Sequence, residues 1–472
     1  MYNSTLGRDA RGRFPGETAS QSKPKNSSKS ALYVLTAFLV EGYLAKSFFF
    51  VGNDPTMLHY ALSSGISLLM AAIFCLKSEV YNGRYNFLFI SVIAILWSLV
   101  SAYASGFPLN YVSVVMFGMM IFSCYFWAPF VYSLTKIEVW RHMLVVIGIP
   151  VVLSFPMMVV ASDLAYDSLS GRFQGSFISV AVASNMFFFV SVFAAFAVKG
   201  ASPKAGERER NIYLILCGLS LFLLYVTRTR GLLVDALVCI GVAVVTTKDG
   251  KIILPRVFGV GIIMVTVIVG ALLGGIVAGF DFDAELSEFR LDQGVTSSRD
   301  NNWSFGIERI QNEPTFGEGL LAKQNKGGKG DVNLEGGVGA GYDPTYDPHS
   351  LVLSLAVQGG IPFMIAVMTI VLGTQIAYFR TVGVSRALAS PEFVVVALMT
   401  LIMIPAGGDL TSFGNLGDRM FWMLLGSLGF QAALARRNKA VLAPAPAAPA
   451  ASGAGPAAAA APARKMEWGA GE

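Results

Sequence analysis

Residues 349–379, HSLVLSLAVQGGIPFMIAVMTIVLGTQIAYF, contain no Asp, Glu, Lys or Arg. A helix needs about 20 mostly apolar residues to cross the hydrocarbon core of a bilayer. Similar apolar runs recur between residues 31 and 434. We therefore predict an all-α fold, a polytopic membrane helix bundle of about twelve transmembrane helices. The predicted helices begin near residues 31, 58, 86, 110, 142, 175, 212, 231, 257, 349, 393 and 419.

The composition agrees with a membrane location. The chain is 54% hydrophobic and only 14% charged, whereas soluble domains carry about 25% charged residues. Its net charge of +5 resides mainly in short loops, where it can meet anionic lipid headgroups. The charge therefore indicates membrane lipids as partners and gives no reason to expect nucleic acid.

Lys and Arg concentrate in loops of one parity, which the positive-inside rule assigns to the cytoplasm. The opposite short loops hold few cations. The rule places both termini in the cytoplasm. The cation-rich segments are the N-terminal tail and residues 77–84, 136–141, 199–210, 248–256, 380–386 and 436–439.

One long polar segment, residues 281–348, separates the predicted ninth and tenth helices. It lies on the parity opposite to the cytoplasmic loops, so we predict a large periplasmic loop. Within it, residues 298–312 have an apolar pattern typical of a helix. Gly317 and Gly319 then begin a Gly-rich segment, which permits positive φ angles and the close approach of a ligand.

The chain divides into three parts by composition. Residues 1–30 are polar and basic, and residues 437–472 are rich in Ala and Pro. Both segments hold too few apolar side chains to offset the entropy of ordering, so we predict disordered cytoplasmic tails. Residues 31–436 form the predicted transmembrane domain.

His349 is the first candidate catalytic residue, because it stands at the predicted outer membrane surface where the loop becomes apolar. Imidazole, with a reference pKa of about 6.5, is a natural proton acceptor near neutral pH. The alternative is a histidine that only lies at a helix start in the interfacial region.

Three arginines, Arg172, Arg228 and Arg230, lie on short outer loops and depart from the positive-inside tendency. Guanidinium groups bind phosphate oxygens through two parallel hydrogen bonds. The group would suit a pyrophosphate at the membrane surface. The alternative is that these side chains extend to lipid phosphates and only anchor the helix ends.

The large loop supplies further candidates. Arg299 and Trp303 are four residues apart and would share one helix face, while Tyr342 and Tyr346 could stack on sugar rings. Each aromatic residue could instead lie in the headgroup region. The aspartates of the loop lack the spacing of a metal-binding loop, so no metal ligand is expected.

These residues, in this order and on this topology, resemble the O-antigen polymerase and ligase superfamily of bacterial inner-membrane proteins over nearly all of residues 31–436. The chain departs from the family pattern in two places. Ser350 follows the histidine where the family commonly has Asn, and the Gly-rich insertion before His349 is long. The acceptor is therefore left open. The matching positions are Arg172, Gly175, Asn185, the turn at residues 227–231, Arg299, Trp303, Pro314, Gly317, Gly319, His349 and residues 358–362.

The resemblance implies a metal-independent glycosyltransferase without a cofactor, whose donor is an oligosaccharide linked to undecaprenyl pyrophosphate. Arg228, Arg230 and Arg299, with Arg172 as a weaker fourth, would stabilise the departing pyrophosphate. His349 would accept the proton of the attacking hydroxyl or orient the acceptor. A chain-length regulator and a flippase are left open as protein partners.

Three functions remain after this reasoning. A polymerase would join lipid-linked repeat units into an exopolysaccharide or O-antigen, and a ligase would move the finished glycan to lipid A core. A transporter of lipid-linked oligosaccharide or solute is the third. Transporters usually place charged residues near the bilayer midplane, whereas the unusual arginines here lie at one surface.

Overall fold

In the computed structural model, the regular secondary structure of the described residues is α-helical, apart from one π-helical stretch and two isolated bridge pairs. We number the helices in chain order. Residues are described over 26–44, 62, 64–70, 87–135, 138–167, 171–177, 179–200, 206–247, 250–257, 259, 299–320, 348–407, 410–411 and 415–442. The helices are α1 (Asn26–Leu44), α2 (Leu88–Ser105), α3 (Leu109–Met120), the π-helix Ile121–Trp127, α4 (Ala128–Thr135), α5 (Val139–Val160), α6 (Ser162–Ala165), α7 (Val180–Gly200), α8 (Gly206–Val226), α9 (Arg230–Val245), α10 (Arg299–Asn312), α11 (Leu351–Val382), α12 (Val384–Ala389), α13 (Pro391–Ala406) and α14 (Leu416–Leu442).

Six helices within these ranges are long and apolar enough to cross a membrane, and two shorter apolar helices accompany them. The predicted all-α fold with membrane-spanning helices is therefore confirmed, while the total of about twelve spans stays a prediction. The predicted spans near residues 58 and 257 fall largely outside the described residues. The six are Leu88–Ser105, Asn110–Val131, Val139–Val160, Val180–Gly200, Glu207–Val226 and Leu351–Val382, and the shorter two are Ala31–Leu44 and Pro391–Pro405.

Helix α7 forms the centre of one half of the bundle, where it packs against α5, α8 and α9. Its side chains are mostly buried, including a run of phenylalanines from Phe187 to Phe189. In contrast, α2, α5 and α8 expose large apolar side chains such as Phe89, Val159 and Ile215. Such an outer apolar surface is what a helix presents to lipid rather than to water.

Helix α11 organises the other half, where it packs against α2, α10, α13 and α14. Its first residue follows Ser350, whose side chain accepts a hydrogen bond from the backbone N–H of Leu353. Residue Gly360 breaks the helix with φ 76° and ψ 174°. The long apolar run is therefore two helical segments joined at a fixed bend.

The first and last helices meet through a buried ion pair. Arg419 Nη1 lies 2.9 Å from Glu41 Oε2, and the Arg419 side chain is fully buried with its guanidinium over the ring of Phe38. Two charges in an apolar interior are stable only when they are paired and hydrogen-bonded. This contact therefore holds α1 against α14.

The predicted tails and loop are described only in part. Helix α1 begins at Asn26 and α14 runs to Leu442, and the remainder of both predicted tails lies outside the described residues. In the predicted loop, the helix expected over residues 298–312 is present as α10, Arg299–Asn312. The periplasmic position of that loop stays a prediction.

Candidate functional site

Arg172 is placed by a short turn between α6 and α7. Tyr166 and Phe173 form an antiparallel bridge, and the backbone N–H of Asp167 donates to the Arg172 carbonyl at 2.8 Å. Phe173 is fully buried. Because the residue after Arg172 is fixed in the core, the direction of the arginine side chain is determined by the fold.

The Arg172 guanidinium reaches the turn between α8 and α9. Its Nε donates to the Thr227 carbonyl at 2.8 Å, and its Nη2 donates to Thr229 Oγ1 at 2.7 Å. Arg228 and Arg230 belong to the same turn. The structure thus holds Arg172 on the turn that carries Arg228 and Arg230, which lie more than fifty positions later in the sequence.

The arginine turn (residues 227–230) is itself held in an uncommon conformation. Arg228 has φ 55°, a left-handed value that is uncommon for a residue with a side chain. Thr227 Oγ1 donates to the Leu224 carbonyl at 2.7 Å and supports the end of α8. Left-handed residues of this kind concentrate at functional sites, where surrounding contacts hold them.

His349 is a second residue with a left-handed backbone, at φ 49°. It is half-buried between the buried residues Pro348 and Ser350. Ser350 Oγ donates to the carbonyl of Ile404, near the C-terminal end of α13, at 2.6 Å. The start of α11 is therefore fixed to α13, and His349 lies directly beside that junction.

The arginine turn and His349 lie at the same end of the bundle. Helices α9 and α13 are in contact. The turn that follows α9 lies against the residues that precede α13, since a Cβ at Gly250 would be only 1.4 Å from the Ser385 carbonyl oxygen. The two helices are therefore antiparallel, and Arg230 at the start of α9 lies toward Ile404 and His349.

Helix α10 contributes Trp303. This indole is half-buried, and its Nε1 atom is buried without a hydrogen-bond partner among the described residues. An unsatisfied buried donor is uncommon and calls for an explanation. Arg299 is the first residue of α10. Tyr342, Tyr346 and the side chain of Arg299 lie outside the described residues, so these site predictions stay predictions.

The sequence predicts that a ligand approaches Gly317 and Gly319 closely, and the structure corrects this prediction. Both have positive φ, 64° and 93°, as expected. Their close neighbours, however, are protein rather than ligand. A Cβ at Gly317 would lie 2.6 Å from the Val357 carbonyl oxygen, and one at Gly319 would lie 2.0 Å from Asn110 Nδ2.

The structure also shows residues that the sequence reasoning missed. In the sequence, Thr227 and Thr229 are recognisable only as part of a turn. In the structure, their oxygen atoms accept hydrogen bonds from Arg172. Arg309 and Glu318 form a buried ion pair, and no periodic pattern marks two residues on either side of a helix end. Within the described ranges, no group of three or more His, Cys, Asp and Glu side chains could hold a metal ion.

Taken with its apolar spans, this arrangement defines an all-helical membrane protein whose arginine turn and strained histidine share one end of the bundle. Residues 215–368 match the protein family described as O-antigen ligase, which supports membership of the O-antigen ligase and polymerase superfamily. The match includes Arg228, Arg230, Arg299, Trp303 and His349. It begins at residue 215, so Arg172 lies outside it. A search of curated proteins gave no match.

Proposed function

We propose that the protein is a polysaccharide polymerase, which transfers a glycan from undecaprenyl pyrophosphate to a hydroxyl of another lipid-linked repeat unit at the periplasmic face. The observation that carries this proposal is the contact of Arg172 with Thr227 and Thr229. That contact holds the Arg172 guanidinium on the turn that carries Arg228 and Arg230. Three cations at one end of a membrane bundle suit a pyrophosphate held at the membrane surface.

The proposed reaction is a substitution at the anomeric carbon of the donor sugar. The acceptor oxygen attacks that carbon, and the bond from carbon to the pyrophosphate oxygen breaks. Undecaprenyl pyrophosphate leaves with the electron pair and gains negative charge in the transition state. Fixed guanidinium groups stabilise such charge most where water is excluded. In this proposal Arg228, Arg230 and Arg299 provide that stabilisation, and Arg172 supports it.

His349 serves the acceptor in the proposed mechanism. The attacking hydroxyl loses a proton as the new glycosidic bond forms, and the imidazole of His349 receives it. The left-handed backbone at His349 and the anchoring of Ser350 to Ile404 support this role, since they hold the histidine in one orientation at the helix start. Trp303, Tyr342 and Tyr346 are proposed to contact the sugars.

The decisive experiment uses purified protein in detergent with a lipid-linked oligosaccharide as donor and acceptor. A polymerase lengthens the glycan and releases undecaprenyl pyrophosphate without a second compartment and without added metal. A transporter of lipid-linked oligosaccharide or solute would show no conversion in this assay. If correctly folded protein makes no longer glycan in this assay, the proposal is contradicted.

An O-antigen ligase is the second candidate, because the matching family carries that description. The donor is the same for both activities, and the acceptor would be lipid A core. Deletion of the gene separates the two. Loss of a polymerase leaves single repeat units, whereas loss of a ligase leaves long chains on undecaprenyl pyrophosphate.

A further inference from the structure

The bend in α11 leaves backbone groups that the helix itself cannot satisfy. Pro362 has no N–H to donate to Gln358, four residues earlier. The N–H of the preceding residue, Ile361, donates to the carbonyl of Pro314 outside the helix, at 2.9 Å. Buried carbonyl groups in this position need partners from elsewhere in the protein.

Two segments supply those partners. Residues 314–319, the docking segment, approach the bend with backbone groups, while side chains of α2 reach it from another side. The donors are Glu318 N to the Val357 carbonyl at 2.8 Å, Gly319 N to the Gln358 carbonyl at 2.8 Å, Ser101 Oγ to the Gln358 carbonyl at 3.1 Å and Trp97 Nε1 to the Gly359 carbonyl at 3.0 Å.

The docking segment fits because its backbone can come unusually close. A Cβ at Gly360 would lie 2.0 Å from the Thr315 carbonyl oxygen, so no side chain can be placed there. Next to it, the ring of Phe316 stacks on Trp97 with centroids 5.7 Å apart. The docking segment therefore packs against the bend of α11 through its backbone and against α2 through the Phe316 ring.

The ion pair between Arg309 and Glu318 joins this segment to α10. Arg309 Nε lies 2.9 Å from Glu318 Oε1, and Arg309 Nη2 contacts Glu318 Oε2. The two parallel contacts form a planar fork, a geometry that Lys cannot reproduce. Arg309 is 96% buried, since only 4% of its side chain is exposed.

Helix α10 also contacts the chain on the other side of His349. A Cβ at Gly306 would lie 3.0 Å from Pro348 Cγ, so the helix lies directly against the residue before the histidine. The loop thus holds the start of α11 at two points, Pro348 and the bend at residues 357–361. The Arg309 and Glu318 pair fixes the geometry between these points.

We propose that Arg309 and Glu318 are positioning residues, which hold His349 at the acceptor through α10 and the docking segment. This inference rests on the proposed function for its catalytic part. Its structural part is that the ion pair restrains the first turns of α11. That part is independent of the proposed function. Displacement of a reacting group by about 1 Å can cost roughly a hundredfold in rate.

The test compares Glu318→Gln, Arg309→Lys and the charge-reversed double variant Arg309→Glu/Glu318→Arg with the wild type. Glu138→Gln is the matched control, because it removes an exposed ion pair with Arg141 that lies outside this junction. The first readout is hydrogen exchange of the peptide covering residues 348–357 in detergent. Faster exchange in both single variants, but not in the control, is expected. Unchanged exchange overturns the inference.

The second readout is turnover with donor affinity. Both single variants should lose roughly ten- to a hundredfold in turnover and keep donor affinity within about twofold. The charge-reversed double variant should recover part of the lost turnover. An equal loss of donor affinity and turnover would overturn the positioning role. If the wild type transfers no glycan, the proposed function fails, and hydrogen exchange still decides whether the ion pair restrains α11.

Discussion

Arg172 Nη2 lies 2.7 Å from Thr229 Oγ1, so an arginine from the turn before α7 is held on the turn that begins α9. The second contact, from Arg172 Nε to the Thr227 carbonyl, fixes the plane of the guanidinium. Arg172 therefore belongs with Arg228 and Arg230, although it lies outside the part of the chain that matches the ligase family.

This contact predicts that Thr229→Val lowers activity without loss of expression. The substitution keeps the shape of the side chain but removes the oxygen that accepts from Arg172, so the arginine loses that hydrogen bond. Loss of a hydrogen bond to a charged group is worth about 1.5 to 3 kcal/mol, or roughly ten- to a hundredfold in turnover. Turnover of the lipid-linked donor measures the effect. Arg208→Lys, an exposed arginine on α8, serves as the control, and equal losses in both variants would contradict the role of Arg172.

Arg228→Lys, Arg230→Lys and Arg299→Lys should each lose most activity while expression stays normal. Lysine keeps the charge but offers a single ammonium group instead of the planar fork. Removal of one contact made in the transition state costs about 2.7 to 4 kcal/mol, or roughly a hundred- to a thousandfold in rate. Turnover and donor affinity of purified variants check this. Full turnover in Arg299→Lys would remove that residue from the proposed site.

His349→Ala should lower turnover by roughly a hundred- to ten-thousandfold and leave donor affinity nearly unchanged. The imidazole is proposed to act on the acceptor, so the donor contacts remain. Donor binding measured apart from turnover distinguishes this outcome. A variant that loses donor binding instead of turnover would show that His349 belongs to the donor site.

Glu41→Ala should destabilise the bundle, because it removes the Glu41 carboxylate from the fully buried Arg419. Breaking a buried ion pair on one side costs about 3 to 5 kcal/mol. The double variant Glu41→Leu/Arg419→Met removes both charges and should recover much of the stability. Thermal unfolding in detergent, followed by size-exclusion chromatography, measures both variants. A double variant no more stable than Glu41→Ala would argue against the ion pair as the cause.

Alkaline phosphatase fused near Gly330 should be active, and the same enzyme fused near Gly250 should be inactive. The loop at residues 281–348 has the parity opposite to the cation-rich loops, which the positive-inside rule assigns to the cytoplasm. Enzyme activity in whole cells reads the side of the membrane directly. The reverse pattern would overturn the topology and, with it, a periplasmic donor.

The helical membrane class and most helix starts can be predicted from the amino-acid sequence. Long uncharged runs must satisfy their backbone groups internally in lipid, and only a helix does so within one segment. The start predicted near residue 110 is observed at Leu109, and those near 231 and 393 are observed at Arg230 and Pro391. The positions of Arg228, Arg230 and His349 at span ends were visible for the same reason.

Which of these helix ends meet is visible only in the folded protein. The pairing of Arg172 with Thr229, of Glu41 with Arg419 and of Arg309 with Glu318 depends on how helices pack, and packing leaves no period in the sequence. The glycines at 317 and 319 show the same limit. Their need for positive φ was readable from composition, but their partner at the bend of α11 was not, because a close backbone contact between distant segments exists only once both are folded.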